Sequence, residues 1–159
     1  MKQKIFDSIV IGLGAMGSSS LYHLAKSGCR VLGIEQFQTP HKFGSSHGGS
    51  RMTRKGLLAS KTHLDFVLRS HQLIEELELE TSEKLYLKTG VLYLGPENSD
   101  FIKNPVKAAK DFNFPSTMLS KQQIEEEFKF FKFQNTPKYE NLCGLIEHEA
   151  GLLNPEKVI

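Results

Sequence analysis

Cysteine is scarce in this sequence. Cys29 and Cys143 are the only two, far apart and outside any Cys-x-x-Cys pair. That excludes a disulfide framework and a cysteine-held zinc. Two reduced thiols fit a cytoplasmic protein. Charge of one sign is not in excess either: 20 basic and 18 acidic residues leave a net +2, too even for a nucleic-acid or anionic-membrane surface. No apolar run approaches the length of a membrane span. Lys2 and Lys4 precede an apolar stretch, but Asp7 interrupts it and no small-residue cleavage site follows, which argues against a secretory signal. His63, His71 and His148 are scattered without a His-Glu-x-x-His spacing, so no metal is assigned. What remains is 39% apolar, with a mean hydropathy of −0.30, the balance of a soluble globular chain.

Residues 5–11 read as a short buried strand rich in β-branched side chains. A glycine-rich turn over 12–17 follows, then a helix over 18–27 with Leu21, Leu24 and Ala25 on one face, stopped by Gly28. Residues 30–34 form a second strand with Glu35 at its end. Residues 36–56, dominated by Gly, Ser, His and Pro, read as a long loop of the functional or disordered kind. Leu64, Val67, Leu68, Ile74 and Leu77 recur at helical spacing across 63–81, a packing stripe. Residues 90–95 read as a strand closed by Gly95 and Pro96, and 99–112 and 120–128 as helices, the latter capped by Ser120. Asn154, Pro155 and Glu156 have the order of a helix start, yet the chain stops at Ile159. One turn is not stable alone, so a longer protein is expected to continue it.

The glycines at 12, 14 and 17 have the Gly-x-Gly-x-x-Gly spacing, set between a strand and a helix, with an acid 18 residues after Gly17 at the end of the next strand. In that context the motif is a dinucleotide fingerprint. Gly12 allows the tight turn, Gly14 lets a pyrophosphate approach the backbone, and Gly17 lets the helix pack close to the strand. The helix N-terminus, at Ala15 and Met16, offers free N–H groups to phosphate. Glu35 is expected to accept from a ribose diol, which disfavours the 2′-phosphate of NADP. Leu21 departs from the Gly or Ala usual four residues after the third glycine, and Ser18, Ser19 and Ser20 are expected to supply the close packing instead.

The fingerprint alone leaves FAD and NAD open. Residues 37–54 read FQTPHKFGSSHGGSRMTR. Glycines and serines there let the backbone run beside a flat ring and phosphates. Arg51 and Arg54 place fixed positive charge, suited to an anionic reduced flavin or to a carboxylate held by two parallel hydrogen bonds. With the Leu-Arg-Ser of 68–70 and the Lys-Thr-Gly-Val-Leu of 88–92, this segment resembles the monomeric sarcosine oxidase and N-methyltryptophan oxidase family of D-amino-acid-oxidase-like flavoproteins. The resemblance fades after about residue 96 and returns at Gly151 to Pro155, covering only the N-terminal part of that family's length.

The resemblance implies FAD, with Gln36, Ser45, Ser46, Ser50 and Arg51 joining the glycine turn and Glu35 as cofactor contacts. It implies that Arg51 lies near the flavin ring, that Arg54 holds the substrate carboxylate, and that His47 matches a histidine close to the flavin. Ser46 stands where a second histidine is common. It further implies oxidation of an N-substituted amino acid to an imine, with O2 reduced to H2O2. Lys55, Gly56, Leu57 and Leu58 replace the family's usual residues after Arg54, which leaves the substrate open. The family's C-terminal lysine and its flavin-anchoring cysteine have no counterpart here, and neither Cys29 nor Cys143 takes that role.

The expected fold is α/β: a Rossmann-like FAD-binding βαβ domain over 1–84, part of a sheet-containing substrate domain over 85–146, and a return toward the FAD domain over 147–159, the whole expected to be truncated. The parallel sheet looks short of strands, and the strand at 88–94 is expected to lack its later partners, so the isolated chain is expected to be incomplete and inactive. The Phe-Lys-Phe-Phe-Lys-Phe run at 128–133 reads as a hydrophobic edge of the substrate domain rather than a nucleic-acid surface. The expected partners are an N-substituted amino acid and O2, with no nucleic acid or membrane, and the oligomeric state stays open. Two other readings stand beside this one: an inert nucleotide-binding fragment and an NAD-dependent dehydrogenase.

Overall fold

The computed structural model describes residues 5–56, 60–134 and 136–159. The expectations that fell on Lys2, Lys4, Leu57 and Leu58 lie outside them. In chain order the elements are β1 (Ser8–Ile11), α1 (Ala15–Lys26), β2 (Val31–Ile34), β3 (Arg51–Thr53) and α2 (Lys61–Thr81). Next come β4 (Tyr86–Leu87), β5 (Val91–Pro96), α3 (Asp100–Phe112), β6 (Ser116–Ser120) and α4 (Lys121–Glu127). After a short 3-10 turn at Pro137–Tyr139 follow β7 (Leu142–Glu147), β8 (Gly151–Leu153) and α5 (Pro155–Val158). No helix among the described residues is long and apolar enough to cross a membrane.

The chain divides into two compact units, Met1–Arg51 with Leu153–Ile159, and Met52–Leu152. The division falls after Arg51 and not near residue 84. The cause is β3: three residues of the expected loop over 36–56 are a strand, and β3 joins β8 and β4 in one sheet. That pairing draws the chain from Met52 onward, α2 included, into the second unit.

The first unit is the expected βαβ. β1 and β2 pair in parallel, with Ser8 opposite Val31 and Ile11 opposite Ile34, and α1 packs on both. Asp7 aligns the two strand starts: its Oδ2 accepts the Arg30 backbone N–H at 2.7 Å, and its Oδ1 accepts from the Arg30 guanidinium at 3.2 Å. The guanidinium holds the Asp7 carboxyl below its ordinary range. β1 was expected to be buried, but Ile9 is 57% and Ile11 82% exposed. A parallel pair is buried only when layers cover both faces, and α1 covers one.

The second unit contains the three-stranded antiparallel sheet β5–β7–β6. The strand expected at 90–95 therefore has its partner, supplied by residues 142–147. The run Leu-Cys-Gly-Leu-Ile-Glu lacks polar alternation because both faces of β7 are covered. On one face Tyr93, Cys143 and Leu145 pack with Ile102 of α3. On the other, Ile124 of α4 is fully buried, and a Cβ on Gly144 would lie 3.1 Å from its Cδ1. In α2, Leu64 is buried and Val67, Ile74 and Leu77 are half-buried, while Leu68, expected in the same stripe, is exposed. The 128–133 run folds onto itself, with the Phe131 and Phe133 rings stacked 5.5 Å apart and Phe133 reaching Tyr139.

Ser120 ends β6 and caps α4 with a full capping box. Its Oγ accepts the Gln123 N–H at 3.3 Å, and Gln123 Oε1 accepts the Ser120 N–H at 2.8 Å. Ser120→Ala removes half of this exchange. The expected cost is about 1 kcal/mol, read as a lower urea midpoint with an unchanged slope, and an unmoved midpoint would contradict it.

Candidate functional site

The site begins where β1 stops. Gly12 turns the chain with φ at +87°, and its N–H donates to the Ile34 carbonyl at 2.8 Å. Gly14 then caps α1, whose first turn carries no acidic residue. The positive end of this helix therefore meets no acidic side chain from its own first turn. A Cβ on Gly17 would lie 1.7 Å from the Gly12 carbonyl oxygen, whereas one on Gly14 would meet nothing within 4 Å. The two glycines answer different demands. Packing of helix on strand dictates Gly17. No contact among the described residues dictates Gly14, and the space it leaves open is where a phosphate can approach backbone N–H groups.

Leu21 is accommodated by Gly33 and not by the serines. A Cβ on Gly33 would come within 2.8 Å of Leu21 Cδ2 and 3.0 Å of Leu13 Cδ1. The missing side chain on β2 replaces the small residue usual on the helix. Ser19 and Ser20 are exposed, and the Ser20 hydroxyl donates to the Met16 carbonyl.

Glu35 closes the turn from the far strand. Its Oε2 accepts the Leu13 N–H at 2.8 Å, and its Oε1 accepts the N–H groups of Gln36 at 2.8 Å and Phe37 at 3.3 Å. These donors, the Leu13 N–H foremost, hold its carboxyl below the ordinary range. An ionised acid thus fixes the glycine turn besides facing the ligand space.

These parts enclose a cleft of about 640 Å³ in the first unit. Gly12, Gly14, Ala15, Met16, Gly17, Glu35, Gln36, Ser45 and Ser46, each assigned to the cofactor from sequence, all line it. Phe37, His41 and Phe43 line it as well, their rings in mutual contact at 4.4–6.0 Å between centroids. The recurrence of aromatic and imidazole rings at 37, 41 and 43 was the available signal for this wall. Ile159 also lines it, through a contact no local pattern announces.

Ser50, Arg51 and His47 stand outside the lining and order the loop. The Arg51 guanidinium donates to the carbonyls of Ser45 at 2.7 Å and Ser50 at 2.9 Å. His47 Nδ1 lies 2.6 Å from the Gly44 carbonyl. The Gly48 N–H donates to Glu156 Oε1 at 2.9 Å, and the Asn154 side chain caps the turn that carries Glu156. The single-turn helix α5 is thus anchored through Glu156.

Arg54 belongs to the second unit. Its guanidinium lies 5.5 Å from the centre of the Tyr93 ring. The Tyr93 hydroxyl donates to Glu147 Oε2 at 2.9 Å, and burial with the neighbouring Glu147 charge pushes its pKa well up. Burial likewise raises Tyr86 to about 12, with its hydroxyl donating to the Glu149 carbonyl at 2.6 Å. Lys55 is buried with its Nζ on Glu149, so it holds the fold together instead of facing solvent. His71 contacts the Thr53 hydroxyl at 2.9 Å, and burial lowers its pKa, with Lys55 adding to the effect. No group of three or more potential metal ligands occurs among the described residues.

The family described as DAO, FAD dependent oxidoreductase, matches residues 7–159. The monomeric sarcosine oxidase of Streptomyces avermitilis is 36% identical over 154 residues, 97% of this chain and 39% of that protein. The N-methyl-L-tryptophan oxidase of Yersinia pestis is 33% identical over the same share of this chain and 40% of its own. Among solved structures, NikD, described as an unusual amino acid oxidase essential for nikkomycin biosynthesis, superposes with a TM-score of 0.81 at 20% identity, over 98% of this chain and 39% of its own. The chain spans about two fifths of the length of the relatives it matches.

Proposed function

The chain belongs to the FAD dependent oxidoreductase family, and on that premise we propose that it supplies the FAD-binding cleft and the carboxylate anchor of an amine oxidoreductase of the sarcosine oxidase kind. The overall conversion takes two electrons and two protons from an N-substituted amino acid, leaving an imine, and O2 takes them up as H2O2. FAD, when bound, supplies the hydride acceptor.

The chain's own residues divide the work. The N–H groups at the start of α1 and the space over Gly14 suit a pyrophosphate. Glu35 suits a ribose diol, Gln36, Ser45 and Ser46 line the same cleft, and Ser50, Arg51 and His47 keep the loop over 44–51 in shape. Arg54 receives the substrate carboxylate, since a guanidinium binds carboxylate through two parallel hydrogen bonds. Two free thiols, Cys29 and Cys143, support a cytoplasmic setting.

The observation that carries this reading is the cleft itself: a glycine turn left open at Gly14, an ionised acid at Glu35 and a Ser-rich loop, all on one space. Titration of the purified chain with FAD and with NAD+ tests it. FAD is expected to bind, and Glu35→Gln to weaken it about tenfold through loss of charge-assisted hydrogen bonds. Binding of NAD+ without FAD would overturn the assignment.

A further inference from the structure

The guanidinium assigned to the substrate carboxylate lies over the ring of one buried group, which a second buried group holds. Tyr93, under the Arg54 head, is 2% exposed, and Glu147, which accepts from the Tyr93 hydroxyl, is fully buried. The same carboxylate accepts the backbone N–H of Lys55 at 2.5 Å and of Gly56 at 3.0 Å. Those are the residues directly after Arg54. One acid therefore fixes both the backbone that carries Arg54 and the ring against which its head lies.

Strand register makes this possible. Val91 opposes Glu147 and Tyr93 opposes Leu145, so Tyr93 and Glu147 are diagonal neighbours on one face of the sheet. Gly56 is part of the device: a Cβ there would lie 3.1 Å from Glu147 Oε2 and 3.0 Å from Pro105 Cβ. Electrostatics run the same way. A phenol that donates to a carboxylate carries more electron density on its ring, which strengthens its attraction for a cation. Arginine loses much rotamer freedom when it binds a ligand, and holding it beforehand lowers that cost.

We propose that Tyr93 and Glu147 are positioning residues for Arg54, holding its guanidinium in the pose that receives the substrate carboxylate. This rests on the assignment of Arg54 as the anchor, and its test separates the two. The purified chain, labelled with 15N-arginine, shows Arg54 as the Nε–H resonance that disappears in Arg54→Lys. That resonance is expected to carry a ring-current shift, lost in Tyr93→Leu and retained in Tyr93→Phe. N-methylglycine is the carboxylate probe. Tyr93→Phe keeps the ring and both backbone donors of Glu147, so the fold survives, as a backbone amide spectrum checks. It is expected to weaken N-methylglycine binding about three- to tenfold through loss of the hydroxyl–carboxylate bond, and Glu147→Gln at least as much. Unchanged affinity in Tyr93→Phe and Glu147→Gln, with binding abolished in Arg54→Lys, would overturn the positioning role and leave the anchor standing. Affinity indifferent to Arg54→Lys would overturn both, and an Arg54 resonance without a ring-current shift would overturn the positioning role whatever the affinity.

Discussion

Gly17→Ala is expected to cost the chain nearly all of its FAD affinity. The added Cβ would sit 1.7 Å from the carbonyl oxygen of Gly12 and 2.9 Å from its carbonyl carbon. Both are backbone atoms at a turn whose own φ is already +87°, so no side-chain rotation relieves the clash. The helix must back away from β1, and the N–H groups at its start move with it. Overpacking against backbone costs about 1–3 kcal/mol, equivalent to about a five- to 150-fold rise in Kd if the strain falls on the binding-competent form. Gly14→Ala is the informative partner. Its Cβ meets no protein atom, so the melting temperature should hold while FAD affinity still falls. Gly17→Ala should lower both. Parental FAD affinity in Gly17→Ala would show that helix and strand need not approach so closely.

The second large effect is on stability. Glu147→Leu leaves three buried donors without an acceptor: the N–H groups of Lys55 and Gly56 and the Tyr93 hydroxyl. Each such loss costs about 1–3 kcal/mol, so the variant is expected to lose about 3–9 kcal/mol. That is a large share of the roughly 5–15 kcal/mol by which a domain is stable. Urea unfolding followed by circular dichroism gives the total, and hydrogen exchange at the Lys55 and Gly56 amides locates it. A loss under about 1 kcal/mol, the scale of one ordinary hydrogen bond, would show that water or a rearranged loop replaces the carboxylate.

The parts of this molecule legible in the sequence are those whose chemistry is local. Gly17 bears on Gly12 only five positions earlier, and Ser120 meets its capping partner three residues on. The paired lining by Glu35 and the serines at 45 and 46 followed from the same motif and from family resemblance. What escaped notice depends on residues far apart. Leu21 looked out of place because Gly33, which makes room for it, lies on the next strand. β7 carried no alternation because helices cover both its faces. Glu147 stood in a Glu-His-Glu run with every sign of a surface acid, and only the fold buries it beneath residues 55 and 56, more than ninety positions earlier.

The contact between Gly48 and Glu156 spans 108 residues, and it shows how the chain is threaded. The first unit is discontinuous: the polypeptide leaves it at Arg51 and re-enters at Leu153. Closing a loop of roughly a hundred residues costs about 4 kcal/mol of chain entropy. The second unit removes most of that cost, because β3 and β8, the strands at its two ends, are neighbours in one sheet. Once that sheet has formed, the two halves of the first unit are tethered a strand's width apart. The nucleotide cleft, whose wall includes Ile159 together with residues 11–46, is thus built from both segments of that discontinuous unit.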